Sequence, residues 1–168
     1  MTLATATATG QPSARVVLLK EVSDLGFVFY TNFASRKGRE LQVNPLCALT
    51  FYWPELERQV RIEGQAKRLP RAESEIYFKS RPKGSRLGAL ASNQSEILPS
   101  RERLERQLAE LEYQYAQTQD VPMPENWGGY IVSPESLEFW QGRPNRLHDR
   151  LRYRKGNNEH WILERLSP

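Results

Sequence analysis

The chain is poor in residues that cross-link proteins or bind metal ions. Its 168 residues include one cysteine, Cys47, and two histidines, His148 and His160. A single cysteine excludes an internal disulfide, and these three residues are too few for a structural zinc site. The sequence also lacks a Gly-x-Gly-x-x-Gly loop, a Walker-type loop and a Gly-x-Ser-x-Gly nucleophile elbow. These absences argue against a dinucleotide-binding domain, a P-loop NTPase and a serine hydrolase.

Long apolar runs are absent as well. No stretch approaches the roughly eighteen apolar residues of a membrane span, and the N-terminus lacks the basic start and apolar core of a secretory signal. Hydrophobic residues make up 39% of the chain and charged residues 26%, which is typical of a folded globular protein. The length suits one domain. We therefore expect a single cytoplasmic domain over residues 1–168, without a membrane partner.

Positive charge is in slight excess. Lysine and arginine number 24 against 20 acidic residues, a net charge of +4, which suits nucleic acid, an acidic membrane surface or phosphorylated small molecules as partners. Eighteen of the 24 cations are arginines. Arginine excess favours forked binding of phosphates and carboxylates, although a GC-rich genome would also produce it. The positions of the arginines must decide between these interpretations.

Short strands dominate the predicted secondary structure. Helices are predicted from Ser35 to about residue 43, over 72–80 and 85–91, and from a cap at Ser100 to Tyr115. Strands are predicted over 3–9, 15–20, 27–31, 46–53, 59–66, 127–132, 137–140, 150–153 and 160–164. The absence of regular strand-helix alternation favours a mainly β fold, an antiparallel barrel with helices at its ends.

Two basic segments are candidate anion sites. Arg15 and Lys20 flank one predicted strand five positions apart, so they should point to opposite faces unless both are solvated strand ends. Arg36 and Lys37 follow Ser35 where a helix begins, which combines free backbone N–H groups with two cations. A plain solvated turn is the alternative there.

A third candidate comprises Tyr77, Arg81 and Ser85. Their i, i+4, i+8 spacing can align three hydrogen-bond donors for a phosphate dianion, although an ordinary helix surface would show the same spacing.

The segment 138–150 concentrates the most chemistry. It contains Trp140, His148 and three arginines, with Arg146, His148 and Arg150 at alternate positions that would share one strand face. Arginine neighbours should keep the imidazole neutral, able to donate one hydrogen bond and accept another. Such crowding of positive charge indicates an anionic or polar ligand. Cys47 lies in an apolar strand, and no nucleophile or metal site is expected. Redox chemistry would therefore need a bound cofactor.

Six sequence blocks together resemble the pyridoxamine 5′-phosphate oxidase family. They are Arg-Val-Val-Leu-Leu-Lys at 15–20, Phe-Tyr-Thr-Asn-x-x-Ser-Arg-Lys at 29–37, Leu-Glu-Arg-Gln-Val at 56–60, Tyr-Phe-x-Ser-Arg-Pro at 77–82, Gln-Ser at 94–95, and Phe-Trp-Gln-Gly-Arg-Pro-Asn-Arg-Leu-His-Asp-Arg at 139–150. The resemblance implies an FMN-binding split β-barrel that works as a homodimer, with FMN between subunits and a C-terminal dimerisation and active-site region at about 127–168.

The resemblance also implies roles for individual residues. The FMN phosphate would be held by Arg15, Arg36, Lys37, Gln94 and Ser95. The rest of the flavin would contact Lys20, Tyr30, Thr31, Gln59, Trp140 and Arg150, and the cofactor site would further include Val16, Val17, Leu18, Leu19 and Ser35. The substrate phosphate would be bound by Lys20, Tyr77, Arg81 and Ser85, and the substrate ring would meet Arg146, Leu147 and His148.

The implied reaction oxidises pyridoxamine or pyridoxine 5′-phosphate to pyridoxal 5′-phosphate, a form of vitamin B6, with O2 consumed and H2O2 released. Arg146 and His148 would be the catalytic residues, chiefly by orienting the substrate, because a permanently protonated arginine is a poor base. Family members usually carry a further segment before the first strand, so we expect substrate closure to be affected in this chain. The alternatives are a split-barrel flavin reductase with another substrate and, from a different class, a basic nucleic-acid-binding barrel. The compact arginine clusters argue against nucleic acid.

Overall fold

The computed structural model describes residues 1–157 and 160–168. Within them the chain forms nine strands and four α-helices. In chain order they are β1 (Thr2–Ala6), β2 (Pro12–Val16), β3 (Glu21–Ser23), β4 (Gly26–Asn32), α1 (Arg36–Val43), β5 (Leu46–Trp53), β6 (Arg58–Arg68), α2 (Arg71–Ser80), α3 (Lys83–Ala91), α4 (Arg101–Gln114), β7 (Trp127–Gln141), β8 (Asp149–Lys155) and β9 (Trp161–Arg165). Short 3₁₀ turns occupy Pro54–Leu56 and Pro144–Arg146.

The residues divide into two compact units. The first unit contains Met1–Phe29, Glu40–Lys67 and Ile131–Pro168, and the second contains Tyr30–Arg39 and Arg68–Tyr130.

An antiparallel sheet forms the first unit. Its strand order is β2-β1-β5-β6-β7-β4-β3, with β8 paired to β7 and β9 paired to β8. Alternating residues along much of β1, β5 and β6 are buried, because successive side chains of a strand point to opposite faces. Leu3, Leu49 and Ile62 of these strands are fully buried. The predicted mainly β class is therefore confirmed.

Strand β7 is longer than the sequence indicates. Residues 127–132 and 137–140 are predicted as separate strands, but one strand runs from Trp127 to Gln141. Pro134, which lacks an N–H group, suggests a break. The strand continues past Pro134 because β6 has a glycine beside it: a Cβ at Gly64 would lie 2.2 Å from the carbonyl oxygen of Ser133.

The segment 15–20 is not one strand. Strand β2 ends at Val16, and residues 17–20 connect it to β3. Backbone hydrogen bonds from Val17 N to Met1 O and from Lys20 N to Val28 O, both 2.9 Å, hold this connection. Burial nevertheless alternates along it, with Arg15 half-buried and Lys20 exposed. The two cations therefore differ in burial, and their expected opposite orientation remains a prediction.

Helices dominate the second unit. Ser35 and Ser100 cap α1 and α4 as predicted, since their Oγ atoms accept hydrogen bonds from Gly38 N at 3.3 Å and Arg103 N at 3.4 Å. The core of this unit consists of Phe78, Leu87, Val121 and Trp127, against which Leu108, Leu111 and Tyr115 pack. None of the helices within the described ranges has the length and apolar character needed to cross a membrane.

Candidate functional site

A hydrogen-bonded polar cluster lies at the start of α1. The ammonium group of Lys37 donates to Gln94 Oε1 at 2.7 Å, Thr31 Oγ1 at 3.1 Å and Ser35 Oγ at 3.4 Å. Lys37, Thr31 and Ser35 are buried. Four residues that the sequence assigns to a cofactor site are thus brought together, and we call them the Lys37 cluster.

Local sequence explains this geometry. The side chain of Asn32 accepts a hydrogen bond from Ala34 N at 2.8 Å and so turns the chain after β4. Gly38 lets the first helical turn approach this segment, because a Cβ there would lie 2.2 Å from the carbonyl oxygen of Phe33. Arg36 lies exposed on the same turn, and Ser95, next to Gln94, is exposed with a left-handed φ of 73°.

An aromatic stack forms a second group in this unit. The rings of Tyr30 and Tyr77 stack with centroids 4.0 Å apart, and Trp127 lies 5.4 Å from Tyr30 in the same orientation. The guanidinium of Arg81 lies 4.8 Å from the centroid of the Trp127 ring, within the range of cation–π interactions. The structure therefore brings Tyr77 and Arg81 together on Trp127, a residue that sequence reasoning missed.

Arg81 has hydrogen-bond donors that no described residue accepts. Its Nη1 atom is buried and has no hydrogen-bond partner within residues 1–157 and 160–168. Burial lowers the pKa of Arg81, and nearby Tyr77 partly offsets this while Arg86 adds to it. A buried guanidinium nitrogen without an acceptor is costly, so an anion is the expected occupant.

Ser85 does not continue the same helix. Helix α2 ends at Ser80, Arg81 is extended, and α3 begins at Lys83. Ser85 lies exposed in the first turn of α3. The break between the helices predicted over 72–80 and 85–91 is therefore confirmed, and the alignment of Tyr77, Arg81 and Ser85 as three donors remains a prediction.

The segment after β7 folds into a tight turn in the first unit. Arg143 N donates to His148 Nδ1 at 3.1 Å, and the imidazole lies 4.7 Å from the Trp140 ring. Because Nδ1 accepts this bond, the neutral ring carries its proton on Nε2, as a donor. Asp149 accepts from Arg143 at 2.7 Å and from Arg165 at 2.9 Å, which closes the turn.

The sequence suggests that Arg146 and His148 lie on a strand, but neither residue does. Arg146 ends the 3₁₀ turn, and β8 begins only at Asp149. Asn145 and Arg146 have left-handed backbones with φ of 56° and 61°. The Arg146 and Leu147 side chains are exposed, whereas His148 is half-buried.

Arg150 follows this turn on β8, directly opposite Trp140 of β7. Its guanidinium donates two hydrogen bonds to the buried carboxylate of Glu138, both with distances of 3.0 Å. Another residue of the expected flavin site, Gln59, is half-buried on β6, opposite Tyr52. Glu138 was missed, although an acidic residue between the apolar residues Leu137 and Phe139, beside an arginine-rich strand, is a usable signal.

Arg15 is engaged within the first unit. It donates to Thr5 Oγ1 at 2.5 Å, to Leu3 O at 3.4 Å and to Ser13 Oγ, and it pairs with Glu40 at 3.4 Å. Val16, Leu18 and Lys20 are exposed, and Val17 and Leu19 are half-buried. The expected role of Arg15 at a cofactor phosphate remains a prediction.

Cys47 and the groups that could bind a metal ion form no competing site in the part of the chain that the structure describes. Cys47 is buried in β5, and burial raises the pKa of its thiol to about 12, which keeps it protonated at neutral pH. Within residues 1–157 and 160–168, no group of three His, Cys, Asp or Glu side chains is placed to hold a metal ion.

The donor set of the Lys37 cluster fits a phosphate group. An ammonium, two hydroxyls and an amide converge at the N-terminus of α1, and such termini favour anions. The residues present therefore suit the phosphate end of a mononucleotide.

Known protein families match nearly the whole chain. Residues 1–115 match the family model described as pyridoxamine 5′-phosphate oxidase, and residues 127–168 match the pyridoxine 5′-phosphate oxidase C-terminal dimerisation region.

Relatives and solved structures agree with this match. The pyridoxine/pyridoxamine 5′-phosphate oxidase of Thermosynechococcus vestitus is 60% identical over 168 residues, covering all of this chain and 78% of that protein, and that of Salinibacter ruber is 56% identical, covering 79%. The crystal structure of PhzG from Burkholderia lata, in complex with tetrahydrophenazine-1-carboxylic acid, superposes with a TM-score of 0.92 at 37% identity over 99% of this chain and 80% of that one. An FMN-binding protein from Nostoc punctiforme shares the fold, with a TM-score of 0.76 at 17% identity over 99% and 87% of the chains. The chain therefore belongs to the pyridoxine/pyridoxamine 5′-phosphate oxidase family, a family of oxidoreductases with a flavin cofactor and a split β-barrel fold.

Proposed function

We propose that this protein is an FMN-dependent oxidase that converts pyridoxamine and pyridoxine 5′-phosphate to pyridoxal 5′-phosphate, consuming O2 and releasing H2O2. The observation that carries the proposal is the presence of two separate sets of anion-binding donors in the second unit. One is the Lys37 cluster, and the other is Arg81, which lies near Tyr77 and whose buried Nη1 atom has no hydrogen-bond partner among the residues that the structure describes. A mononucleotide cofactor and a phosphorylated substrate each bring one dianion, which matches two such sets.

The cofactor would be held mainly through its phosphate. Lys37, Ser35 and Gln94 are joined by hydrogen bonds, and Arg36 and Ser95 lie on the same two segments. Family resemblance adds Arg15 to this phosphate site and Lys20, Tyr30, Thr31, Gln59, Trp140 and Arg150 to the flavin contacts. When bound, FMN would accept a hydride from the substrate carbon that carries the amine or hydroxyl and return the electrons to O2.

The substrate would be oriented at both ends by residues of this chain. Arg81, with Tyr77, Ser85 and Lys20, would bind its phosphate, and the stacked aromatic rings would restrict the Arg81 guanidinium. At the ring end, His148 presents Nε2–H as a donor because its Nδ1 is occupied. Arg146 would supply fixed positive charge beside the substrate, and Leu147 an apolar contact.

We further propose that residues 1–168 form one domain that acts as a homodimer, with FMN at the subunit interface. The match of residues 127–168 to a dimerisation region supports the dimer. Phe139, Tyr153, Trp161 and Leu163 in this region are exposed on one face of β7, β8 and β9, as an unpaired dimer surface would be.

A second candidate is a split-barrel flavoprotein with another substrate. The structural likeness to PhzG, which was crystallised with a phenazine carboxylate, favours it specifically. Such a protein would need the Lys37 cluster but would have no use for a phosphate-binding Arg81.

One experiment separates these candidates. The purified protein, loaded with FMN, is mixed anaerobically with pyridoxine 5′-phosphate, and the flavin absorbance is followed before and after admitting air. We expect bleaching by the phosphorylated compound and recovery in air, with pyridoxal 5′-phosphate formed. If the protein binds FMN but neither pyridoxine 5′-phosphate nor pyridoxamine 5′-phosphate bleaches the flavin absorbance, the second candidate is supported. Failure to bind FMN would contradict both.

A further inference from the structure

Glu138 of β7 makes the best-defined ion pair of the candidate site. Its Oε1 and Oε2 atoms accept hydrogen bonds from Nε and Nη2 of Arg150, each at 3.0 Å. A second arginine, Arg61 of β6, lies 3.7 Å from the same carboxylate. The side chain of Glu138 is only 9% exposed. A bidentate contact of this kind fixes the plane of the guanidinium as well as its position.

Strand register explains why Glu138 selects Arg150. The residue directly opposite Glu138 on β8 is Arg152, and Arg150 is its diagonal neighbour. Arg152 is instead bound to Glu164 of β9 at 2.7 Å, the residue opposite it on the other side. Because Arg152 is occupied by Glu164, the carboxylate of Glu138 is available to Arg150.

Arg150 keeps donors for a ligand. A guanidinium has five N–H groups, and two of those of Arg150 are used by Glu138 while Nη1 donates one to Ser167 O at 3.0 Å. Among the described residues, two N–H groups are left. Trp140 of β7, another residue proposed to contact the flavin, is directly opposite Arg150 in the sheet.

The carboxylate remains charged at neutral pH. The hydrogen bonds from Arg150 hold the pKa of Glu138 below its ordinary value, although burial alone would raise it. The nearby charges of Arg61 and Arg152 also lower this pKa. The pair is therefore a stable ion pair, and the positive charge of Arg150 is largely balanced.

From this geometry we infer that Glu138 is a positioning residue, which holds Arg150 for contact with the flavin and limits the positive charge that Arg150 presents to it. The inference rests on the proposed FMN-binding function. Loss of the Glu138 charge would leave Arg150 both mobile and uncompensated. Uncompensated positive charge beside a flavin favours the reduced, more negative form, so the reduction potential should rise.

The test compares two arginine-bound carboxylates that share no arginine. Glu138→Gln removes the charge beside Arg150, and Glu105→Gln is the control, because Glu105 pairs with Arg101 at 2.7 Å on α4. FMN affinity is measured by fluorescence quenching and the flavin potential by spectroscopic titration. We expect Glu138→Gln to weaken FMN binding about tenfold, the usual scale for losing one charged hydrogen-bond partner, and to shift the potential upward. Glu105→Gln should leave both flavin properties unchanged.

A third variant separates position from charge and serves if Glu138→Gln does not fold. Glu138→Asp keeps the charge and shortens the side chain, so it should weaken FMN binding while leaving the potential near the wild-type value. Equal flavin affinity and potential in the Glu138 and Glu105 variants, with wild-type FMN binding intact, would overturn this inference alone. Absence of FMN binding by the wild-type protein would overturn the proposed function and this inference with it.

Discussion

The ammonium group of Lys37 lies 2.7 Å from Oε1 of Gln94, 57 residues further along the chain. This hydrogen bond connects the first turn of α1 to the loop after α3. Lysine is strongly hydrated in water, so its burial here needs the oxygens that surround it. The side-chain oxygens of the Lys37 cluster therefore hold the ammonium group of Lys37 in a fixed position.

Lys37→Met is expected to weaken FMN binding by about one to two orders of magnitude. A charged hydrogen bond contributes about 1.5–3 kcal/mol, and methionine retains the apolar part of the side chain. The measurement is FMN affinity by fluorescence quenching. Lys79→Met, an exposed lysine of α2, is the control and should bind FMN normally. An unchanged affinity of Lys37→Met would remove Lys37 from the phosphate site.

Arg81→Lys is expected to raise the KM for pyridoxine 5′-phosphate about tenfold or more while FMN binding stays intact. Lysine keeps the charge but loses the planar group that lies over Trp127 and the buried Nη1 donor. Steady-state kinetics with FMN-saturated enzyme measures this effect. Arg71→Lys, at an exposed position that starts α2, should behave like the wild type. If the two variants gave the same KM, Arg81 would have no part in substrate binding.

Arg146→Gln is expected to lower turnover more than it lowers FMN affinity. The exposed side chain on the turn after β7 makes no described hydrogen bond to the Lys37 cluster, so its loss should leave the cofactor phosphate undisturbed. The check is kcat at full FMN occupancy, compared with Arg106→Gln on the exposed side of α4. Normal turnover with bound FMN would exclude a role for Arg146 in the reaction.

Acid should destabilise the fold through its arginine-bound carboxylates. Hydrogen bonds from Arg152 and Arg154 lower the pKa of Glu164, and those from Arg143 and Arg165 lower the pKa of Asp149. A carboxylate with a lowered folded-state pKa stabilises the protein above its unfolded pKa, roughly 4, and loses that contribution as the pH falls further. The melting temperature should thus be nearly constant from neutral pH to about 5 and fall below that.

The control for this effect is Glu164→Gln. Its melting temperature should lie below that of the wild type at pH 7, and the gap should narrow as the wild-type carboxylate becomes protonated. A gap that stayed constant down to pH 3 would mean that the ion pairs contribute nothing to stability.

Local signals in the sequence predicted the helices well. Helix α1 follows the capping residue Ser35 and ends before Asn44 and Pro45, as predicted, since caps and proline act within a few residues. Strand β7 was divided wrongly because the feature that carries it past Pro134 is Gly64, which lies in another strand. Such a contact is long-range and leaves no local pattern.

The candidate site was predictable only in part. The sequence resemblance indicated the residues of the Lys37 cluster, and the structure shows four of them joined by hydrogen bonds. The spacing argument for Arg146 and His148 failed because two left-handed residues interrupt the expected strand. Glu138 and Trp127 were missed because their importance depends on strand register and ring packing across the fold, which single-sequence patterns do not reveal.

The left-handed backbones of Asn145 and Arg146 imply a conflict between robustness and activity. Residues other than glycine pay about 1 kcal/mol or more for this conformation, and asparagine tolerates it better than arginine. A glycine at either position would make the turn easier to form and the protein harder to unfold. It would also let the turn explore more conformations, and at position 146 it would remove the guanidinium itself. Thermal robustness alone would thus favour a glycine in this turn, whereas the proposed role of Arg146 requires the arginine and its strained backbone.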